Sequence, residues 1–325
     1  MNTYGKKFAV TLAGESRGPA ITVIIDGVEP GMKFDTARID GLLSSRRPDG
    51  VYSTARIEKD EYTVLSGVYN GFTTGEPVTV TVPNSDTDGE APDCLRPGHA
   101  DYVSLVRSGG YADIRGGGHF SGRVTVGLCI AGAIALQMLE KRGITVGTEI
   151  TSVGGGGGCG LTDEMKEVIL AAKADGDSVG GTVLTVIKGF PAGCGSPFFD
   201  GLESVISHAV FSVPGVKGIE FGDGAAFGAM KGSEANDCYR IEDGRIVTAT
   251  NHSGGINGGL SNGNEIVFST TVKAPSTVAK AQKTVNYRTM TEEEVSFGGR
   301  NDPCIVQRVC PCITSAAAIA LINCL

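Results

Sequence analysis

The sequence predicts one large α+β domain built in layers. Three observations carry that reading. β-Branched runs closed by turn residues recur in the first third of the chain, and helical patterns alternate with strands through the middle. One long segment, Val124 to Leu139, is apolar on nearly every side, so its helix should lie buried between layers. No stretch rich in Pro, Ser or charge divides the chain and no short repeat recurs, so residues 1–325 read as a single domain.

In chain order, Ala20 to Asp26 is a β-branched run closed by Asp-Gly, a strand and then a turn. Tyr62 to Tyr69 and Pro77 to Val82 repeat that pattern. Ser121 is placed to cap the buried helix, and Lys141, Arg142 and Gly143 end it with cations and a glycine. Strand 144–153, helix 162–174, strand 182–187 and helix 202–211 follow. Strands near Ile219 and over 266–272 come next, and a helix over 315–324 closes the chain.

Hydrophobic residues make up 41% and charged residues 20%, values that allow a sizeable core. Glycine is in excess, with 49 residues against a usual share of about 7%. Without a collagen period, that excess points to tight turns and close backbone approaches. A net charge of −8 and the absence of Trp argue against nucleic acid or an anionic membrane as partner. A small anionic substrate stays open, because a few arginines in a cleft can dominate the local field. The nine cysteines lack any C-x-x-C pair and only four His are present, so reduced thiols and no structural metal are expected. The N-terminal apolar stretch is broken by Gly14, Glu15 and Arg17, and the longest apolar run falls short of a membrane span, so a cytoplasmic enzyme is expected.

Five segments mix glycine with charge: residues 14–18, Arg46-Arg47-Pro48 with Arg56 beyond it, 96–101, 115–123 and 299–304. The fourth has the clearest physics. Its glycines let backbone N–H groups approach a ligand, the helix N-terminus that follows favours an anion, and arginine supplies donors matched to phosphate oxygens. Each segment alone is also consistent with a turn and a surface ion pair, but five together point to a phosphate-gripping site. Gly155 to Gly160 fits a dinucleotide fingerprint, yet five glycines in a row match it almost by default, and a flexible connection is the better reading. His99 and Asp101 suggest a hydrolase triad only weakly, since no G-x-S-x-G elbow is present.

Taken in order, RPGHAD (96–101), RGGG (115–118), KGSEAND (231–237), NHSGG (251–255), KAPST (273–277) and RNDPC (300–304) resemble the chorismate synthase family. The likeness runs from about Tyr4 to the C-terminus. It implies a β-α-β sandwich with central helices between antiparallel sheets and a homotetramer. It implies reduced FMN as cofactor, supplied by an external source, with NADP as an associated nucleotide. The implied reaction is anti-1,4-elimination of phosphate from 5-enolpyruvylshikimate 3-phosphate, giving chorismate without net redox change. By position, the anionic pocket falls on Arg46, Arg47, Arg123 and Arg300. Asp302 matches an aspartate that assists proton removal, and His99 matches one of two histidines that serve the flavin. FMN contacts fall on His119, Phe120, Ser121, Pro214, Gly215, Gly258, Lys273, Ala274, Pro275, Ser276, Thr277 and Arg300.

The departures from the family lie at the site. Arg17 takes the place of the second histidine, and arginine can hold an anion but cannot release a proton near neutral pH. His119 and Phe120 stand where the family has Arg and Ser, and Asn301 replaces a histidine. The loop after Pro48 is one residue short and lacks an arginine before Tyr52. Three readings stay open: a working chorismate synthase, a paralogue acting on a related phosphorylated acid, or an FMN- or anion-binding protein without catalysis. Arg17 and His119 are therefore both catalytic candidates, with His119 expected to supply the titratable group.

Overall fold

The computed structural model describes residues 2–48, 50–54, 58–299 and 301–325, without the side chain of Arg245. Arg56 and Arg300 thus lie outside the described residues. The helices are α1 (Thr36–Arg46), α2 (Asp101–Arg107), α3 (Thr125–Glu140), α4 (Asp163–Ala174), α5 (Leu202–Val210), the single turn α6 (Gly232–Ala235) and α7 (Val306–Cys324). Two five-stranded sheets, both antiparallel, enclose the long ones. The first runs Thr3–Tyr4, Ala9–Ala13, Ala20–Asp26, Val78–Pro83, Thr63–Ser66 across the sheet. The second runs Val216–Phe221, Ile266–Val272, Gly181–Lys188, Thr145–Val153, Gly156–Gly157.

Period-two alternation decides which face of each sheet is covered. Ile21, Val23 and Ile25, with Val78, Val80 and Val82, turn inward on the first sheet. Val183, Ile187, Ile266 and Phe268 do so on the second. Helix α3 packs on the first sheet and α7 on the second, and the two helices pack on each other. The result is the layered arrangement expected from the sequence. Fourteen of the 16 residues of α3 are buried, as its all-round apolarity requires. The crossing with α7 is close because position 132 is glycine. A Cβ there would stand 2.2 Å from Cβ of Ser315.

Two stretches, Gly122–Glu140 and Val306–Cys324, are long and apolar enough to cross a membrane by length and composition, the first beyond what its sequence suggested. Both are largely buried inside this fold, 89% and 72% over the apolar window, as core helices are.

The structure departs from the sequence reading in several places. Ser121 caps a 3-10 turn, Gly122–Val124, accepting from the Arg123 N–H, and α3 proper begins at Thr125. Helix α7 starts nine residues earlier than 315, because Pro311 reads as a breaker but is accommodated within the helix. The glycine run is not a loose connection. Gly156 and Gly157 pair back on Val153 and Ser152 as a tight hairpin that leads into α4.

Candidate active site

Seven connections converge on one cleft of about 960 Å³ between the sheets and the helix ends. They are the loops after α1, around Asp60, before α2, before α3, after α5, after the strand Ile266–Val272 and before α7. Among the described residues, eight lysine and arginine side chains line it against three carboxylates, in a chain whose net charge is −8. Such a concentration of cation in a walled cleft draws small anions. Of the residues expected from sequence, Arg46, Arg47, Arg123, His99, His119, Phe120, Ser121, Pro214, Gly215, Lys273, Pro275, Ser276, Thr277 and Asp302 all line it. Asn301 lines it too.

The floor is a buried ionic network. Asp60, only 4% exposed and with φ of 55°, takes Arg46 on one oxygen at 2.9 Å and Arg123 on the other. Arg123 also donates through Nε to Oδ1 of Asn84 at 2.8 Å, and Glu58 stands 3.9 Å from it. Burial works against the Arg46 charge, but the facing Asp60 carboxylate outweighs it and raises the guanidinium pKa. Among the described residues, neither Nε of Arg46 nor that of the adjoining Arg47 finds a hydrogen-bond partner.

The wall is made by the loop before α2. His99 Nδ1 lies 2.7 Å from Oδ1 of Asp101, and Arg96 clamps both oxygens of the same carboxylate at 2.7 and 2.8 Å. Burial pushes the Asp101 carboxyl up, yet the hydrogen bonds and charges of His99 and Arg96 prevail and hold it well below the usual carboxylate range. An ionised carboxylate only accepts, so His99 donates from Nδ1 to Asp101 and leaves Nε2 as its uncommitted nitrogen. That edge lies on the RGGG loop, where Gly116, Gly117 and Gly118 have φ of 58°, 91° and 54°. A Cβ on Gly117 would come within 3.1 Å of Cε1 of His99. Lys273 reaches back to the same loop, donating to the Gly98 carbonyl at 2.7 Å and to Ser276. Burial, then the like charge of Lys217, lowers the pKa of its ammonium.

His119 Nδ1 lies 2.7 Å from the carbonyl oxygen of Gly14. Arg17 does not line the cleft. Its guanidinium pairs with Asp86 and donates to the Asp86 carbonyl at 2.9 Å. Gly258 sits in the hairpin between Asn257 and Leu260, and neither it nor Ala274 is among the lining residues. Asp302 accepts from the Thr54 N–H at 2.8 Å on one oxygen and from Arg308 at 2.7 Å on the other. Sequence reasoning missed Asp60, Asn84, Asp86 and Arg308. Arg308 had a signal, as the only basic residue in an otherwise uncharged helix. The others sit in ordinary polar stretches and are recruited by the fold.

A family profile described as chorismate synthase matches residues 8–325. The chain belongs to the chorismate synthase family. Curated chorismate synthases resemble it over nearly their whole length. That of Chitinophaga pinensis is 43% identical, over 99% of this chain and 95% of its own. That of Thermococcus gammatolerans is 41% identical, over 98% and 95%. That of Archaeoglobus fulgidus is 39% identical, over 100% and 97%. A crystal structure of chorismate synthase superposes with a TM-score of 0.78, at 22% identity, over 99% of this chain and 92% of that one, a likeness of fold. Chorismate synthases are carbon–oxygen lyases, and the family acts on a small phosphorylated substrate.

Proposed function

We propose that this chain is a working chorismate synthase, eliminating phosphate from 5-enolpyruvylshikimate 3-phosphate in the cleft described above. The observation that carries the reading is the convergence of eight cationic side chains from distant parts of the chain onto one cleft, in a family member near 40% identity to curated synthases. That identity over full length disfavours the paralogue and the non-catalytic binder.

The cleft suits FMN in its donor chemistry. Lys273, Ser276 and Thr277 offer phosphate donors, while Val213, Pro214 and Ile305 supply apolar lining for a ring. Reduced FMN held by these residues would supply electron density to the substrate as its C–O bond to phosphate breaks, without net redox change. The chain's own residues then have distinct tasks. Arg46, Arg47 and Arg123 present cations to the phosphate and carboxylates of the substrate. Asp302, steadied by Arg308 and the Thr54 amide, presents a carboxylate toward proton removal. His99 and His119 each offer an Nε2 whose opposite nitrogen is committed to a fixed partner. Arg17, turned to Asp86, acts from behind the loop as a fixed charge. A cytoplasmic location, a homotetramer, NADP as an associated nucleotide and an external source of reduced flavin complete the proposal.

The test is anaerobic turnover of the purified chain with photoreduced FMN and 5-enolpyruvylshikimate 3-phosphate. Chorismate appearing in step with phosphate supports the reading. Tight FMN binding without chorismate overturns it in favour of another phosphorylated substrate.

A further inference from the structure

Two thiols beneath the cleft have no part in that chemistry. Cys129 on α3 and Cys312 on α7 are buried, and Cys129 donates to Sγ of Cys312 across 3.8 Å. Cys312 is also a lining residue of the cleft, and Cys129 is not. Their juxtaposition follows from the helix crossing. Gly132 meets Ser315, and three residues earlier on each helix Cys129 meets Cys312. The spacing is one helical turn on both, so the same close approach brings the sulfurs together. We propose that Cys312 and Cys129 form an oxidisable dithiol under the active site, with Cys312 the thiol that meets a peroxide and Cys129 the one that closes the disulfide.

The surroundings separate these thiols from the others. The Cys129 thiol donates to Cys312, and though burial opposes it, the positive charges of Arg46 and Arg308 also favour the Cys312 thiolate. Hydrogen bonding to Cys312, then burial, pushes Cys129 the other way. A Cys312 thiol that keeps its hydrogen is directed to the Arg308 carbonyl at 3.5 Å. At four of the other thiols the balance runs against the thiolate. Cys94 and Cys159 face the carboxylates of Glu293 and Glu149 at 3.4 and 3.1 Å. Burial pushes Cys304 up to about 11 and Cys310 to about 12. The thiolate is the reacting form, so a peroxide entering the cleft meets its best nucleophile at Cys312.

The chemistry balances with hydrogen peroxide alone. The Cys312 sulfur attacks one peroxide oxygen, an S–O bond forms as the O–O bond breaks, and one water leaves. The Cys129 sulfur then attacks the sulfenic sulfur, an S–S bond replaces the S–O bond, and a second water leaves with the remaining protons. Two thiols are oxidised and one peroxide is reduced. The sulfurs must close from 3.8 Å to about 2.05 Å, a movement of the two side chains at a crossing that is already tight.

The experiment uses the full chain, reduced with dithiothreitol, desalted and titrated with hydrogen peroxide. The expected product is ~2 Da lighter, has lost two titratable thiols, maps as a 129–312 linked peptide and reverts with dithiothreitol. Cys129→Ser is expected to stop at a Cys312 sulfenic acid, ~16 Da heavier and trapped by dimedone. Cys312→Ser is expected to leave Cys129 reduced. A map that links another pair, or one in which Cys159 and Cys238 are oxidised while 129 and 312 stay reduced, overturns the proposal. The wild-type map decides even if a serine variant fails to fold.

Discussion

His119 is fixed to Gly14: its Nδ1 lies 2.7 Å from that carbonyl oxygen. A carbonyl can only accept, so Nδ1 holds the proton and Nε2 is the nitrogen left for chemistry in the cleft. We propose that His119, oriented by the backbone of the segment that carries Arg17, takes the part of the histidine that the family resemblance places at position 17. His119→Ala should lower chorismate formation by about 10²–10⁴-fold in kcat, the usual scale for removing a general acid or base. Arg17→Ala should cost less, since that guanidinium is spent on Asp86. Unchanged turnover in His119→Ala would remove the residue from the mechanism.

Arg308 should act through Asp302 and not on substrate directly. It donates to Asp302 at 2.7 Å while its Nε holds the Arg46 carbonyl at 3.1 Å, so it sets both the carboxylate and the end of α1. Arg308→Gln is expected to lower kcat about tenfold with a smaller change in KM, and to alter the pH profile of kcat. Arg308→Lys should recover part of it, since a point charge keeps the pairing without the fork. A purely structural role would lower stability in both variants and leave the profile of the folded fraction unmoved.

Much of this was legible beforehand because it lives in local pattern. The strands over 20–26 and 266–272 were bounded to the residue by β-branched runs and their turns. The loops that build the cleft were visible as glycine and arginine mixed at short range. What stayed hidden was pairing over distance. Nothing in the stretch around Asp60 marks it as the counter-charge for two arginines 14 residues before and 63 residues after it. Helix α1 was missed because its apolar face is reduced to Ile39 and Leu43. Half of α7 was lost to Pro311, which the flanking packing overrides.

Asp60→Asn should be among the most destabilising single changes at the site. It removes the charge that Arg46 and Arg123 share, and both guanidiniums are nearly inaccessible to water. Breaking a buried ion pair from one side costs about 3–5 kcal/mol. Urea unfolding should show a lower midpoint with an unchanged slope. A loss under about 1 kcal/mol would mean that the network is more hydrated than its burial implies.

Asp101 gives the pH prediction. Burial raises its carboxyl, but His99 and Arg96 bring the folded-state value below the unfolded one. A carboxylate with a depressed folded pKa contributes stability that is fully present above its unfolded value of about 3.9 and is lost as pH falls from there toward the folded value. The wild type should therefore exceed Asp101→Asn in stability most clearly from pH 5 to 7, and the gap should narrow as pH drops below about 4. Urea midpoints for the two proteins at a series of pH values would follow it. The same variant replaces an acceptor-only carboxylate with an amide that can also present its N–H2 to His99, so the ring is no longer held with a proton on Nδ1 and turnover should fall even at pH 7, where the fold is retained. A gap that stayed constant across the acid range would show that the carboxylate's charge contributes nothing, and that only its shape holds the wall of the cleft.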